Sequence, residues 1–232
     1  MAGVGAAVVL RAYCGTIRAR GRPAMSPDQV PAALVITMWE QYGSGMTDVA
    51  DRVGRQLSLP VTGQAFSSED LEAQEEAEER NGGFLDRLAA VLGAVPSGLS
   101  AAKAADVNER EGFEQLVADN RALVLSMAAQ GGIILGHDAT KILAGRPNTL
   151  HVKFVGPVEE RVARAAADRG IGTERARRRQ EREDRVRVEM ADRFNRWDPR
   201  GTDYWDLIVN TTTLGTDGAA DLVVRAAGRI RG

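Results

Sequence analysis

Short apolar, β-branched runs recur along this chain, and each is followed by a long segment with helical spacing. The clear runs are "AALVITM" (32–38), "GGIILG" (131–136), "NTLHVKFVGP" (148–157) and "YWDLIVNTTTLG" (204–215), with "PVTG" (60–63) as a shorter one. Runs this short and this apolar read as strands buried on both faces. Between them, "TDVADRVGRQLSL" places Val49, Val53 and Leu57 one helical turn apart, with Thr47 as the expected N-cap. "NEREGFEQLVADNRALVLSMAAQG" (108–131) repeats Phe113, Leu116, Val117, Leu123, Val124 and Met127 on a helical period and is closed by glycines. "HDATKILAG" reads as a short helix, and "TDGAADLVVRAAGRI" as a closing amphipathic one. Strands alternating with helices predict a three-layer α/β fold, with a parallel sheet of about five strands. Ligands on such sheets bind at the carboxyl ends of the strands.

Composition narrows the classes of function. The 232 residues suffice for one domain with a sizeable core or a mobile insert. A formal net charge of -2 gives no molecule-wide attraction to nucleic acid or an anionic membrane, and neither partner is expected. Cys14 is the only cysteine, which excludes an internal disulfide and a cysteine-built zinc site. No apolar run is long enough for a bilayer-spanning helix. Residues 1–31 are rich in Ala, Gly and Arg, with the charges after the apolar stretch, the reverse of a secretory signal. They read as a disordered or loosely ordered leader before a domain at 32–232, and the expected location is cytoplasmic.

Features with chemical potential gather at the predicted strand exits. After the first strand stands Glu40-Gln41-Tyr42-Gly43-Ser44-Gly45-Met46-Thr47. A phosphate loop, Gly-x-x-x-x-Gly-Lys-Ser/Thr, turns backbone N–H groups around phosphate oxygens, neutralises charge with its lysine and holds magnesium with its hydroxyl. Aligned on Gly45, the last glycine and Thr47 fit. Glu40 and Met46 stand where the first glycine and the lysine belong. The competing reading is a tight strand-to-helix turn. His137 and Asp138 follow a second strand, and Asn210 and Thr211 follow the last. The segment Glu159–Arg200 holds thirteen arginines and ten acids. It reads either as a solvated, salt-bridged helix pair or as a lid closing on phosphate, hinged at Gly170 and Gly172. His151, alternating within a strand, reads as structural. Trp39, Trp197 and Trp205 read as packing residues.

These stretches together resemble the cytidylate-kinase-like proteins, a branch of the phosphate-loop nucleoside monophosphate kinases. The resemblance covers about residues 33–230. It is carried by "VITMWEQYGSG", "GIILGHDATKILAGRPNTLHVKFVGPVEERV", "EDRVR" and "YWDLIVNTTTLG". Members commonly read Tyr-Gly-Ser-Gly-Gly at the loop. Tyr42, Gly43, Ser44 and Gly45 match, and Met46 replaces the next glycine. The family's Gly-Arg after the middle strand is Gly136-His137 here. Its lid pattern Asp-x-x-Arg is matched by Asp184 and Arg187, and its Asn-Thr by Asn210 and Thr211, near where such kinases hold the donor's base.

The resemblance implies ATP and Mg2+ as cofactors, and a nucleotide with a small-molecule acceptor as partners. Gly43, Ser44, Gly45 and Met46 would form the donor-phosphate loop, with magnesium on Thr47. Arg182, Arg185 and Arg187 would close on the transferring group from a lid near 159–200, and Asp184 would orient that lid or accept an arginine. His137, beside Asp138, would face the acceptor phosphate, with an acceptor region near 64–130. The implied function is ATP-dependent phosphorylation of a nucleoside monophosphate or similar small acceptor. Two alternatives stand beside it. One is a nucleotide-binding regulator without turnover. The other is an interaction protein using the acidic segment 69–80 and the basic lid as partner surfaces.

Overall fold

The computed structural model describes residues 32–64 and 109–230, all within one compact unit. In chain order the elements are β1 (Val35–Glu40), α1 (Met46–Leu57), β2 (Val61–Thr62), α2 (Glu109–Gln130), β3 (Gly132–Leu135), α3 (Ala139–Ile142), β4 (Thr149–Val155), α4 (Val158–Arg169), α5 (Thr173–Asn195), β5 (Leu207–Asn210) and α6 (Thr211–Ile230). The five strands form one sheet in the order β2-β3-β1-β4-β5, every neighbouring pair parallel. β1 sits at its centre, with Val35 opposite Gly132 on one side and Thr149 on the other. The strands are short and apolar, so helices cover both faces, as the alternating pattern predicts.

The two faces differ. Ile36 and Met38 of β1 point with Leu150, Val152 and Phe154 of β4 into one apolar layer, which α1 and α6 close with Val49, Val53, Ala219, Ala220 and Val223. Residues one step out of phase face the other way, as the two-residue strand period requires. There Val35 and Ile134 meet Val124 and Ala128 of α2 with Leu143. Beside them lies a buried polar knot: the Thr37 hydroxyl is 2.9 Å from that of Thr140 and 2.7 Å from His151 Nδ1. Further along, Lys153 donates to the carbonyls of Pro199 and Arg200 at 2.8 and 2.9 Å, and its ammonium lies over the Trp39 and Trp205 rings. Trp39, Trp197 and Trp205 therefore pack together, with Trp205 5.9 Å from Trp39 and 5.7 Å from Trp197. Among the described residues no helix is long and apolar enough to cross a membrane.

Several boundaries differ from the sequence reading. β1 starts at Val35 and runs to Glu40. In the last run only Leu207–Asn210 is strand. Asn210 ends it, because its Oδ1 accepts the N–H of Thr212 at 3.0 Å and caps the turn that begins α6. Thr47 is not the N-cap of α1. Gly45 is, at φ 77, a left-handed conformation that glycine adopts without strain. The arginine-rich segment is two helices, with Gly170 at φ 61 closing α4 and Gly172 preceding α5. It is not solvated throughout: α5 buries Arg179, Gln180, Arg182, Glu183 and Arg187 beside Ala176, Ala191 and Phe194. The acidic segment 69–80 and residues 65–108 of the expected acceptor region lie outside the described residues.

Gly54 tests how tightly α1 sits on the sheet edge. In an exposed helix, Gly→Ala stabilises by about 1 kcal/mol. Here an added Cβ would stand 2.9 Å from Val61 Cγ2 and 3.0 Å from the Leu59 carbonyl oxygen. Gly54→Ala is therefore expected to lower the melting temperature, because the α1–β2 turn must shift. A rise in melting temperature on thermal denaturation would show that the edge strand yields freely.

A candidate phosphate loop beneath an arginine-rich helix

The loop after β1 is fastened almost atom by atom. The Gln41 N–H donates to the Phe154 carbonyl at 3.1 Å and the Ser44 N–H to the Gln41 carbonyl at 3.1 Å. The Tyr42 N–H donates to Asp184 Oδ1 at 2.7 Å and the Met46 N–H to Glu40 Oε2 at 3.1 Å. The Ser44 carbonyl accepts from Thr211 Oγ1 at 2.7 Å and from the Arg164 guanidinium at 3.0 Å. The Ser44 hydroxyl is fully buried and has no hydrogen-bond partner among the described residues. Gly43, at φ 78, lies so close to α4 that a Cβ there would stand 2.3 Å from the Arg161 carbonyl oxygen. The loop is thus a close-packed layer between the sheet and α4, in a shape only glycine permits at that point.

Arg161 holds this layer together. It is 1% exposed. It donates to the Gly156 carbonyl at 2.8 Å, the Tyr42 carbonyl at 2.6 Å and Asp184 Oδ2 at 3.1 Å. Asp184 also accepts from Gln180 Nε2 at 2.8 Å, so it takes an arginine, a glutamine and a loop N–H at once. Tyr42 packs with Val162, Ala165 and Ala176, joining the loop to both arginine-rich helices. Sequence reasoning concentrated on the arginines of α5 and passed over Arg161 and Arg164. The available signal was position: both stand one turn apart at the start of the helix that leaves β4, at the same sheet end as the loop.

The expected lid arginines separate. Arg182 and Arg187 lie on the buried face of α5, at 7% and 9% exposure, whereas Arg185 is exposed. The reason is helical phase: Arg185 is two residues from both Glu183 and Arg187 and so projects from the far side. Arg187 Nη2 pairs with Glu183 at 3.0 Å, reaches Gln64 Oε1 at 3.3 Å and faces Glu40 Oε1 at 3.8 Å. Burial pushes the Glu40 carboxyl above its ordinary pKa, and Arg187 and the Met46 N–H oppose that rise.

Met46 and Thr47, side by side at the end of the loop, have opposite surroundings. The Met46 side chain is 2% exposed and lies in the core with Val49 and Phe154, so only its backbone N–H faces the loop. A lysine at this position would carry its ammonium into the apolar layer. Thr47 is exposed on the first turn of α1. Thr211 is fully buried and bonded to the loop, while Asn210 is exposed and caps α6.

A small cavity of about 50 Å³ opens at the ends of β1 and β3, lined by Trp39, Gln64, Asn120, His137, Arg187 and Phe194. His137 sits at φ 54, with Nε2 3.1 Å from the Gly63 carbonyl and its own carbonyl accepting from Asn120 at 2.9 Å. The carbonyl partner assigns the proton to Nε2, and burial pushes the pKa of His137 down, so the ring is neutral near pH 7. Nδ1 then offers a lone pair with no partner among the described residues. Asp138 accepts from Asn195 Nδ2 at 2.5 Å and Trp197 Nε1 at 2.6 Å, tying the end of α5 to the exit of β3. Burial raises its pKa to about 6 against those two hydrogen bonds. Among the described residues no group of three or more His, Cys, Asp or Glu side chains is arranged for a metal ion.

Comparison with known proteins places this geometry. Residues 35–213 match the model of the cytidylate kinase-like family. The chain belongs to that family. With its parallel 2-3-1-4-5 sheet and glycine loop after the central strand, it has the α/β phosphate-loop kinase fold, and its family is of the phosphotransferase kind. A uronate isomerase from Corynebacterium glutamicum is 31% identical over 115 residues, which are 50% of this chain and 22% of that protein. The chain thus matches about a fifth of the length of this curated relative. Among solved structures, an uncharacterized protein from Eubacterium ventriosum superposes with a TM-score of 0.58 at 14% identity, covering 84% of this chain and 98% of the other. A shikimate kinase from Acinetobacter baumannii gives 0.42 at 14% identity, covering 84% and 92%. A gluconokinase from Sinorhizobium meliloti gives 0.43 at 13%, covering 87% and 98%.

Asp138 makes the α5 clamp sensitive to pH. Its folded pKa of about 6 lies above the ordinary 3.8. The stability it contributes is therefore fully present below about pH 3.8 and is lost as the pH rises through about 6. Asp138→Asn keeps one acceptor oxygen but presents an amide to the second donor, and is expected to cost about 1 kcal/mol at low pH. Melting curves across that range should show the wild type losing stability relative to the variant as pH rises. Parallel profiles would mean that Asp138 titrates normally.

Proposed function

We propose that this chain is an ATP-dependent phosphotransferase acting on a small acceptor, with a nucleoside monophosphate of the cytidylate kind as the leading acceptor. One observation carries the reading: a two-glycine loop at the carboxyl end of the central strand, with Arg164 bonded to its Ser44 carbonyl and Arg187 facing Glu40 at its start, and with Arg182 buried on the same helix as Arg187. Phosphoryl transfer needs positioned charge more than a covalent nucleophile, and this arrangement supplies it. Backbone N–H groups of Gly43, Ser44 and Gly45 would grip donor phosphates. Arg182 and Arg187 would stabilise the transferring group, with Asp184 orienting α5 through Arg161. Neutral His137 would offer Nδ1 to a donor on the acceptor, and Asp138 would set its backbone. Asn210 and Thr211 lie on the donor's side. Thr47, an exposed hydroxyl at the start of α1, fits magnesium's preference for oxygen, with nucleotide phosphates and water completing its shell. That ion would supply positive charge along the phosphates. The expected location is cytoplasmic.

A second reading has its own support. Arg187 is shared by two carboxylates, His137 is neutral and Met46 is in the core, so fixed positive charge at the site is sparse. That favours a nucleotide-binding regulator with slow or no turnover. The acidic segment 69–80, on which a partner-surface reading rests, lies outside the described residues.

Titration with MgATP followed by an acceptor screen for ADP release separates the two. Turnover with a nucleoside monophosphate, lost on the order of 10³-fold in the Arg182→Ala, Arg187→Ala double variant, is the expected result. Binding without ADP release from any acceptor would establish the regulator instead. Gly45→Val, which puts bulk beside Thr216 Cγ2 at 2.9 Å and Arg164 Nη1 at 3.5 Å, should abolish MgATP binding. Unchanged affinity in that variant would reduce the loop to a turn.

A further inference from the structure

Glu40 stands in an unusual place for a negative charge. It ends β1 and is 7% exposed, with one carboxylate oxygen on each side of a junction. Oε2 accepts the N–H of Met46, the first residue of α1, at 3.1 Å. Oε1 faces Arg187 Nη2 at 3.8 Å. A helix N-terminal N–H and an arginine are the partners that a phosphate oxygen ordinarily takes in such a loop. Here a carboxylate of the chain itself spans both. Beside it the Ser44 hydroxyl is fully buried and without a partner among the described residues, a donor left over in the same loop.

The surroundings keep this carboxylate exchangeable. Two further acids of α5, Glu183 and Asp184, repel it, and Arg187 attracts it. The β4 residue in register with it is Phe154, which offers no charge. Burial pushes its pKa up. Arg187 does not depend on Glu40, because Glu183 holds the same guanidinium nitrogen at 3.0 Å. Losing the Glu40 charge therefore leaves no arginine stranded in the interior, the condition under which breaking a buried pair is most costly.

Building on the phosphate-loop reading, we propose that Glu40 is an internal anion occupying the loop's phosphate position, and that a donor phosphate binds by displacing it from the Met46 N–H and Arg187. Glu40 then sets donor affinity. An ionised Glu40 competes with and repels the incoming phosphate, whereas a protonated or amidated one does neither. Anion affinity rises as the pH falls toward the Glu40 pKa. It levels off below that point.

Sulfate is a suitable probe, since it keeps both charges between about pH 5 and pH 8 and mimics a phosphate group. Sulfate and MgATP would be titrated into the full-length protein and into Glu40→Gln at both ends of that range. The variant is expected to bind sulfate at least about tenfold more tightly than wild type at the upper pH, the scale of removing one buried like charge. Wild-type affinity should climb as pH falls, and the variant's profile should be flatter. Whatever slope the variant retains reports Asp138 and the histidines. Without any ligand, the Met46 amide resonance should titrate in the wild type and stay still in Glu40→Gln. Equal affinities and equal slopes in two proteins that both bind would overturn this proposal and leave the loop reading intact. Absence of binding of either probe to either protein would overturn both. Should Glu40→Gln fail to fold, a wild-type sulfate affinity that does not change with pH overturns the proposal alone.

Discussion

The buried guanidinium of Arg161 is the contact on which the arrangement of the site depends. A charge with 1% exposure persists only if its donors are matched, and Arg161 matches them with two carbonyls and the Asp184 carboxylate. Each partner belongs to a different part of the fold: Gly156 to the exit of β4, Tyr42 to the loop, Asp184 to α5. One side chain therefore sets the distance between sheet, loop and arginine-rich helix. Gly43 is a consequence of that closeness, since no side chain fits between the loop and the α4 backbone.

Around Arg161 the interface between loop and α5 is ionic where a core would be apolar. Arg161 pairs there with Asp184, and Arg187 lies between Glu40 and Glu183. Burying such groups costs desolvation energy that a hydrophobic contact avoids, so stability alone is a weak reason for the layer. Such a layer suits the proposed entry of an anion, because a phosphate that replaced Glu40 would leave Arg187 matched by Glu183. The hydrophobic work of folding is done elsewhere, in the two apolar layers on either side of β1.

Much of the fold was legible because it rests on period. β3, β4 and β5 lie within the apolar runs that suggested them, β1 overlaps its run and continues past it to Glu40, and α2 follows its spacing from Phe113 to Met127. The family was legible from "YGSG", "GHDATK", "EDRVR" and "NTTT" taken in order. Individual side chains were less so. Thr47 looked like a cap on residue type, yet the positive φ of Gly45 moves the helix start two residues earlier. Arg185 resembled Arg182 in composition and differs only in phase about α5. Arg161 and Arg164 gave no stronger signal than eleven other arginines in their segment, since what distinguishes them is a contact with residues more than a hundred positions away.

By itself the sequence determined the class of fold, a glycine loop at the exit of the first strand and an arginine-rich segment at 159–200. These follow from local quantities: hydrophobic period, turn residues and the charge of neighbouring positions. Only the tertiary structure decided how that charge is used. It sent Met46 into the core, made His137 neutral by burial, gave Asp184 to Arg161 and set Glu40 between the loop and Arg187. The physical reason is that desolvation and pairing depend on which distant groups are brought within a few ångströms, a property of the packed chain that no local stretch of residues contains.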